Sequence, residues 1–374
     1  MRIGFDAKRA FNNFSGLGNY SRYIISNVCR FYPENECLLY TPEIADEELF
    51  QVPEGAIIKR PRTLVGKAAR SYWRSFRLIH WLGKDAVDIY HGLSNELPFG
   101  IHHTPIKSVI TIHDLIFLEH PELYKPFDRY VYRKKVEYAA KAANRIIAVS
   151  GQTKQDIIRF LNVDESRIRI VYQGCNRQFY SRVSEESRRQ ARHQFNLPDN
   201  YLLYVGTIEE RKNLLKIVQA MHEGSIDFPL VVIGRKTAYY NQVKSYLDKQ
   251  RMKHILFLEN VQSSDLPAIY QGSRGFIYPS SYEGFGIPIL EALNSGVPVI
   301  TSAGGCLEET AGKGGIFIHP EDREEMIHAI RRVLDDTALR ERLIRGGREH
   351  ALHYREEETI PSLYNVYLEC MNND

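Results

Sequence analysis

Cysteine is scarce and unpatterned in this chain of 374 residues: Cys29, Cys37, Cys175, Cys306 and Cys370 are scattered, with no CxxC pair. That excludes a disulfide framework and a zinc ribbon, and it fits free thiols in a reducing compartment. No run of 18 apolar residues occurs, so the sequence offers no membrane-spanning helix. The opening residues, Met1-Arg2-Ile3-Gly4-Phe5-Asp6, lack the apolar core of a secretory signal and read as a first strand. Histidines show no metal-ligand spacing, and no DxD motif is present. Gly312-Lys313-Gly314 is followed by no Ser or Thr, so it is not a P-loop. A charge excess is also missing. With 49 basic and 46 acidic residues the net charge is +3, which speaks against a nucleic-acid partner.

What is present is a soluble globular composition, 43% hydrophobic and 25% charged, in a chain long enough for two domains. Short apolar runs alternate with helical stretches throughout, the pattern of parallel sheets in α/β layers. Seven strands are expected before residue 173 and six after residue 200. The polar segment Gln173–Arg192 reads as the connection between two doubly wound, Rossmann-like domains. We therefore expect an N-terminal domain of residues 1–180 and a C-terminal domain of residues 181–355. The last helix, 356–374, is expected to pack back on the first domain. In such sheets ligands bind outside the carboxyl ends of the strands, so two of them can face a central cleft.

The segment Ser280-Ser281-Tyr282-Glu283-Gly284-Phe285-Gly286-Ile287-Pro288-Ile289-Leu290-Glu291-Ala292 concentrates the chemistry. It leaves a strand, turns through two glycines around Phe285, and enters a helix whose first amides form an anion site. Seven residues separate the carboxylates of Glu283 and Glu291. Earlier, Val205-Gly206-Thr207-Ile208-Glu209-Glu210-Arg211-Lys212-Asn213 places Arg211 and Lys212 at the start of a helix. Cations there oppose the helix dipole, a penalty that a bound pyrophosphate reverses. In the first half, Val109-Ile110-Thr111-Ile112 ends in His113-Asp114, and Asp88-Ile89-Tyr90 ends in His91.

The Glu283–Glu291 string resembles the E-x7-E donor motif of retaining GT-B glycosyltransferases of family four, the mannosyltransferase-like group 1 enzymes. The segment that runs from a strand through Gly206 to Arg211-Lys212-Asn213 and the His113-Asp114 pair resemble other parts of the same pattern, so the resemblance spans nearly the whole chain. It implies that Glu283 contacts the transferred sugar and Glu291 the nucleotide ribose. Arg211, Lys212, Gly16, Gly18, Phe285 and Gly286 would hold the donor diphosphate. Asn260 and Val261 would line the nucleobase, and His113 would orient the sugar, its ring fixed by Asp114. His91 and Asp114 become further cleft candidates on the acceptor side, while Arg235-Lys236 either reaches the cleft edge or forms a solvated turn. One departure is Thr207, where some members carry an arginine; the diphosphate then depends more on Arg211 and Lys212.

The resemblance further implies transfer with retention and without metal or other cofactor, the sugar nucleotide being a substrate. GDP-mannose is favoured over UDP-hexoses as donor, and a glycan or lipid-linked acceptor in surface polysaccharide synthesis is expected. Two alternatives stay open: a catalytically silent nucleotide-sugar or glycan-binding partner, and an NAD-dependent oxidoreductase. For the latter, Ser15-Gly16-Leu17-Gly18-Asn19-Tyr20-Ser21 is an incomplete fingerprint, and the second strand ends at Tyr40-Thr41-Pro42 rather than at an acid.

Between Lys59 and Lys84 lie eight Lys or Arg residues, both tryptophans and no acid. Read as one helix, Val65–Leu82, this segment puts Lys67, Arg70, Arg74 and Arg77 on one stripe. Val65, Ala69, Tyr72, Phe76 and Ile79 fall on another. The alternatives are an ordinary surface helix and one that meets an anionic membrane through these cations and Trp73. The latter would place the protein in the cytoplasm, peripheral on the inner face of the membrane.

Overall fold

The structure, a computed structural model, describes residues 1–14, 16–61 and 67–372, and for Lys67 the backbone alone. It contains two compact units, Met1–Gly174 with Arg355–Asp374, and Cys175–Tyr354.

The first unit is built on seven parallel strands: β1 (Arg2–Asp6), β2 (Glu36–Tyr40), β3 (Ile57–Lys59), β4 (Ile89–Gly92), β5 (Lys107–Ile112), β6 (Arg145–Ala148) and β7 (Ile168–Ile170). Their order is β3-β2-β1-β4-β5-β6-β7, so the winding reverses between β1 and β4. Alternate residues feed two cores. Leu38 and Tyr40 of β2 join one, with Leu78, Leu82, Val136 and Ala139 from covering helices. Cys37 and Leu39 join the other, with Ile24 and Val28 of helix Gly16–Phe31. The final helix, Glu356–Asn372, packs in this second core through Ile360, Leu363, Val366 and Tyr367. Burying each such side chain contributes about 2 kcal/mol, which is what holds a helix so distant in sequence.

The second unit has six parallel strands: β8 (Leu202–Val205), β9 (Leu230–Ile233), β10 (Ile255–Leu258), β11 (Gly275–Tyr278), β12 (Val299–Ser302) and β13 (Gly315–Ile318). The order β10-β9-β8-β11-β12-β13 puts its reversal between β8 and β11.

All thirteen expected strands are present, but the segment read as a polar connection contains helix Glu185–Gln194. Only Ala191 is buried on it, so its apolar stripe is too thin to see. The signal lay in its cap, where Ser184 accepts from the Ser187 N–H at 3.0 Å and glutamates fill the first turn. Val65, expected to open a helix, lies outside the described residues, as do Ser15 and residues 373–374.

Candidate active site

The chemistry-bearing residues of the second unit gather where β8 and β11 end side by side. After β8, Gly206 keeps the path open: a Cβ there would sit 3.3 Å from both the Lys212 stem and the Tyr278 ring. The chain then makes a 3₁₀ turn, Glu210–Lys212, and Asn213 takes a left-handed conformation, φ 57°. Asn213 Nδ2 donates to the Pro279 carbonyl at 2.8 Å and to Ser281 Oγ at 2.9 Å. The Ser281 N–H donates to the Arg211 carbonyl at 2.8 Å. The loops after β8 and β11 are thus laced together.

Glu283 is the focus of this edge. Its Oε1 lies 2.8 Å from Arg211 Nη1 and 3.0 Å from Lys212 Nζ. The same oxygen accepts from Tyr278 Oη at 2.7 Å and Ser280 Oγ at 2.9 Å. Lys212 Nζ also donates to Tyr278 Oη, and Arg211 bonds Glu209 Oε1 at 2.6 Å. Burial alone would favour the neutral Glu283 carboxyl, but Lys212 and Arg211 outweigh it and hold its pKa at about 2. Arg211 is correspondingly raised by Glu283 and Glu209, against burial.

The helix Ile287–Asn294 starts at Gly286, whose φ of 138° suits only glycine. Pro288 has no N–H, and the Ile289 and Leu290 N–H groups donate back to the Gly286 carbonyl, so the first turn offers an anion the Ile287 N–H rather than a set of amides. Phe285 is not available to a ligand through its side chain: the ring is buried 5.6 Å from that of Tyr354. Glu291 accepts from Tyr270 Oη at 3.0 Å. Burial raises its pKa to about 7, and that hydrogen bond only partly offsets the rise. Asn260 is exposed in a left-handed turn just after β10, with the half-buried Val261 next to it. Lys236 pairs with Glu259 and lies 4.6 Å over the Tyr240 ring, while Arg235 is exposed.

The first unit treats its candidates differently. His113 does follow β5, but its ring is buried and both nitrogens are engaged. Nε2 lies 2.9 Å from the Leu93 carbonyl and must carry the proton; Nδ1 lies 3.2 Å from Gln173 Nε2. Tyr20 meets the ring edge-on at 4.6 Å. Burial lowers its pKa to about 4, so His113 is neutral. Asp114 does not orient that ring: its carboxylate accepts from the Ile116 N–H at 3.2 Å. His91, expected at a cleft, is instead in the interior. It is bonded to Tyr367 Oη at 2.7 Å and Thr111 Oγ1 at 2.8 Å, because β4 lies between β1 and β5 under the final helix. Gly18 is fixed by packing, since a Cβ there would come 1.8 Å from the Asn13 carbonyl oxygen; Gly16, opening the same helix, has free space.

The basic segment is also corrected. It is helical from Lys67 to Lys84, but a π turn at Trp73–Arg77 inserts an extra residue per turn and rotates the stripes. Arg74 points inward and is paired with Asp6 and Glu96, while Trp73 is buried against Trp81. Tyr72 and Phe76, expected inside, are exposed. Arg70 pairs with Glu43, Arg77 is exposed, and the Lys67 side chain lies outside the described residues. The physical reason is Asp6: a buried carboxylate at the end of β1 requires a partner, and Arg74 meets that need.

Sequence reasoning missed Tyr278, Ser280 and Glu209 around Glu283, and Gln173 and Tyr20 around His113. A tyrosine ending a buried strand beside the motif was the one available signal. Among the described residues, no three His, Cys, Asp or Glu side chains converge to hold a metal ion, and no helix is long and apolar enough to cross a membrane.

Comparisons with known proteins agree with this geometry. Residues 185–350 match the family Glycosyl transferases group 1, and residues 23–179 match Glycosyltransferase Family 4. The chain is 32% identical to O-antigen chain mannosyltransferase B of Escherichia coli, covering 98% of this chain and 99% of that protein. Among solved structures, sucrose-phosphate synthase from Thermosynechococcus elongatus aligns over the full length of both chains with a TM-score of 0.80 at 19% identity. HepE of Anabaena, solved with UDP and glucose, aligns with a TM-score of 0.76 at 15% identity over 98% of this chain and 99% of that one. The fold is GT-B, and the chain belongs to the group 1 glycosyltransferases of family four.

Proposed function

We propose that this enzyme transfers mannose from GDP-mannose to a glycan or lipid-linked acceptor in surface polysaccharide synthesis, with retention of configuration and without a metal. The observation that carries this reading is the lopsided wiring of Glu283. All four of its closest partners, Arg211, Lys212, Tyr278 and Ser280, reach Oε1. Among the described residues none bonds Oε2, which is left to accept from a sugar hydroxyl. The name of the Escherichia coli relative supports mannose as the hexose and an O-antigen type of product.

In this reading the donor diphosphate lies against Arg211, Lys212 and the Ile287 N–H that opens helix Ile287–Asn294. As the bond between the anomeric carbon and the diphosphate oxygen breaks, negative charge grows on that oxygen and the two cations oppose it. The same oxygen takes the proton of the attacking acceptor hydroxyl, so the new bond forms on the face the old one left. Glu291 binds the ribose. His113, neutral and tied at both nitrogens, exchanges no proton. An enzyme meeting a lipid-linked acceptor would work at the cytoplasmic face of a membrane.

Thermal unfolding with GDP-mannose and with UDP-glucose, each with and without EDTA, tests the donor. A donor at 100 times its dissociation constant adds about 2.7 kcal/mol of stability. We expect that shift with GDP-mannose, unchanged by EDTA, together with GDP release in the presence of acceptor membranes. A larger shift with UDP-glucose reassigns the donor. Binding without GDP release would mark a silent partner.

A further inference from the structure

The correction to the basic segment leaves aromatic side chains facing outward, and they are not isolated. Tyr72 and Phe76 have ring centroids 5.3 Å apart, Phe76 stacks on Phe99 at 5.0 Å, and Phe99 meets Tyr138 at 4.5 Å. Tyr138 belongs to helix Pro126–Ala142. At helical spacing, Phe127, Tyr130, Lys134 and Tyr138 share one face of it. The row therefore runs on to Tyr130, with Lys134 Nζ 5.9 Å over its ring, and to Phe127, which is 75% exposed.

This row is anchored. The Phe99 N–H donates to the Ser75 carbonyl inside the π turn at 2.7 Å. The Gly100 N–H donates to Tyr138 Oη at 2.6 Å, and that hydroxyl donates to the Pro98 carbonyl at 3.2 Å. The loop carrying Phe99 is thereby fixed to both helices, so the rings form a rigid ridge. The surrounding charge is one-sided. Helix Pro126–Ala142 carries five basic side chains against two acidic ones, as much net positive charge as the whole chain. Its exposed Arg133 and Lys134 share a single carboxylate, Glu137. Arg77 adds another exposed cation beside Phe76.

Rings that expose an apolar body, bordered by lysine and arginine, match the boundary between acyl chains and anionic headgroups. We propose that the ridge of Tyr72, Phe76, Phe99, Tyr130 and Phe127, with Arg133 and Lys134, is the surface by which this enzyme docks on an anionic lipid bilayer. The inference rests on the membrane-facing part of the function proposed above and replaces the face expected from sequence.

The test is flotation of the full chain with vesicles of phosphatidylethanolamine and phosphatidylglycerol, against vesicles of phosphatidylcholine. Parent protein is expected to float with the anionic vesicles only and to be released by high salt. Phe76→Ser with Phe127→Ser, and separately Arg133→Gln with Lys134→Gln, should each lower the bound fraction about tenfold. Both pairs should keep the GDP-mannose thermal shift. Phe127→Ser alone, at the most exposed position, serves if the first pair unfolds. Parent protein that ignores anionic vesicles, variants that bind like the parent, or equal binding to neutral vesicles would each defeat the proposal. So would a parent that sediments as a dimer the variants dissociate, which assigns the ridge to a second copy of the chain. Loss of the GDP-mannose shift in the parent instead sinks the donor reading and leaves the vesicle result to stand by itself.

Discussion

The two sheets share one winding scheme, yet their carboxyl edges are used in opposite ways. In the first unit the groups at the reversal point are satisfied internally. Asp6 and Glu96 close on Arg74, and His91 and His113 each have both ring nitrogens bonded within the unit. In the second unit two cations and two hydroxyls crowd one oxygen of Glu283, and a helix begins four residues on at Ile287. One edge is a closed network that holds the sheet. The other is charged and incomplete, the condition in which a diphosphate binds well. Strand order chooses where a site can lie, and side-chain wiring sets two equivalent places apart.

The largest effect should come from the second edge. Lys212→Ala removes a cation opposing charge on the leaving diphosphate and should slow GDP release from GDP-mannose at least about a hundredfold. Its fold should persist, because Arg211 and Tyr278 still hold Glu283. Glu283→Ala should be as slow, and it also leaves Lys212 without its carboxylate partner and Arg211 with Glu209 alone. Its melting temperature should therefore fall, and rise again on adding GDP-mannose. Parental turnover in either variant breaks the contrast between the edges.

The first edge should respond in stability instead. Asp6→Ala leaves the buried guanidinium of Arg74 with Glu96 as its remaining carboxylate and with donors facing Asp6 unmet, a change that costs about 1–3 kcal/mol. Chemical denaturation should show that loss, while the GDP-mannose shift of the remaining folded protein stays parental. A collapse of donor binding with little loss of stability would mean that this network, too, is part of a site.

That division was only half legible in the sequence. Strands were plain because parallel strands buried on both faces, such as Leu230-Val231-Val232-Ile233, are continuous apolar runs. The Glu283–Glu291 segment was conspicuous because Glu283, Gly286 and Glu291 follow one another within a single loop and helix. The inward turn of Arg74 was hidden, since its partner Asp6 is 68 residues away and the π turn breaks the spacing from which a stripe is counted. The burial of His91 was hidden likewise: its partner Tyr367 lies 276 residues on, in the last helix. Local spacing reveals chemistry carried on one element, whereas which polar residues are silenced depends on long-range pairing.

Acid should separate the units more gently. Burial lowers the pKa of His91 to about 3 and of His113 to about 4, from an ordinary 6.5. Both rings are neutral in the fold, so the stability they confer is complete above pH 6.5 and drains as pH falls toward 4. Glu283, held at about 2 against an ordinary 4.5, gives its contribution above pH 4.5 and loses it only below. Hydrogen exchange at pH 5 should therefore quicken around β4 and β5 before it changes around β8 and β11. Simultaneous loosening would show that the buried histidines are not the weak point.

The smallest effect sharpens the second edge itself. Glu291 has its pKa raised to about 7 by burial, so near neutrality it is half protonated. A carboxylate accepts from two ribose hydroxyls, but the protonated form offers one acceptor fewer and competes as a donor. Affinity for GDP-mannose, whose phosphates do not titrate near pH 7, should then rise about tenfold between pH 6 and pH 8 as the ionised fraction grows. Glu291→Gln should bind at the weak level throughout and lose the slope. In the free protein the sign is reversed: raising the pH through 7 charges a buried group and lowers stability, while the two neutral histidines gain over the same range, so the melting temperature of the parent relative to Glu291→Gln should fall between pH 6 and pH 8 unless donor is present. A pH-independent affinity in the parent, with a melting-temperature difference from Glu291→Gln that still varies with pH, would keep the buried acid and remove it from the ribose.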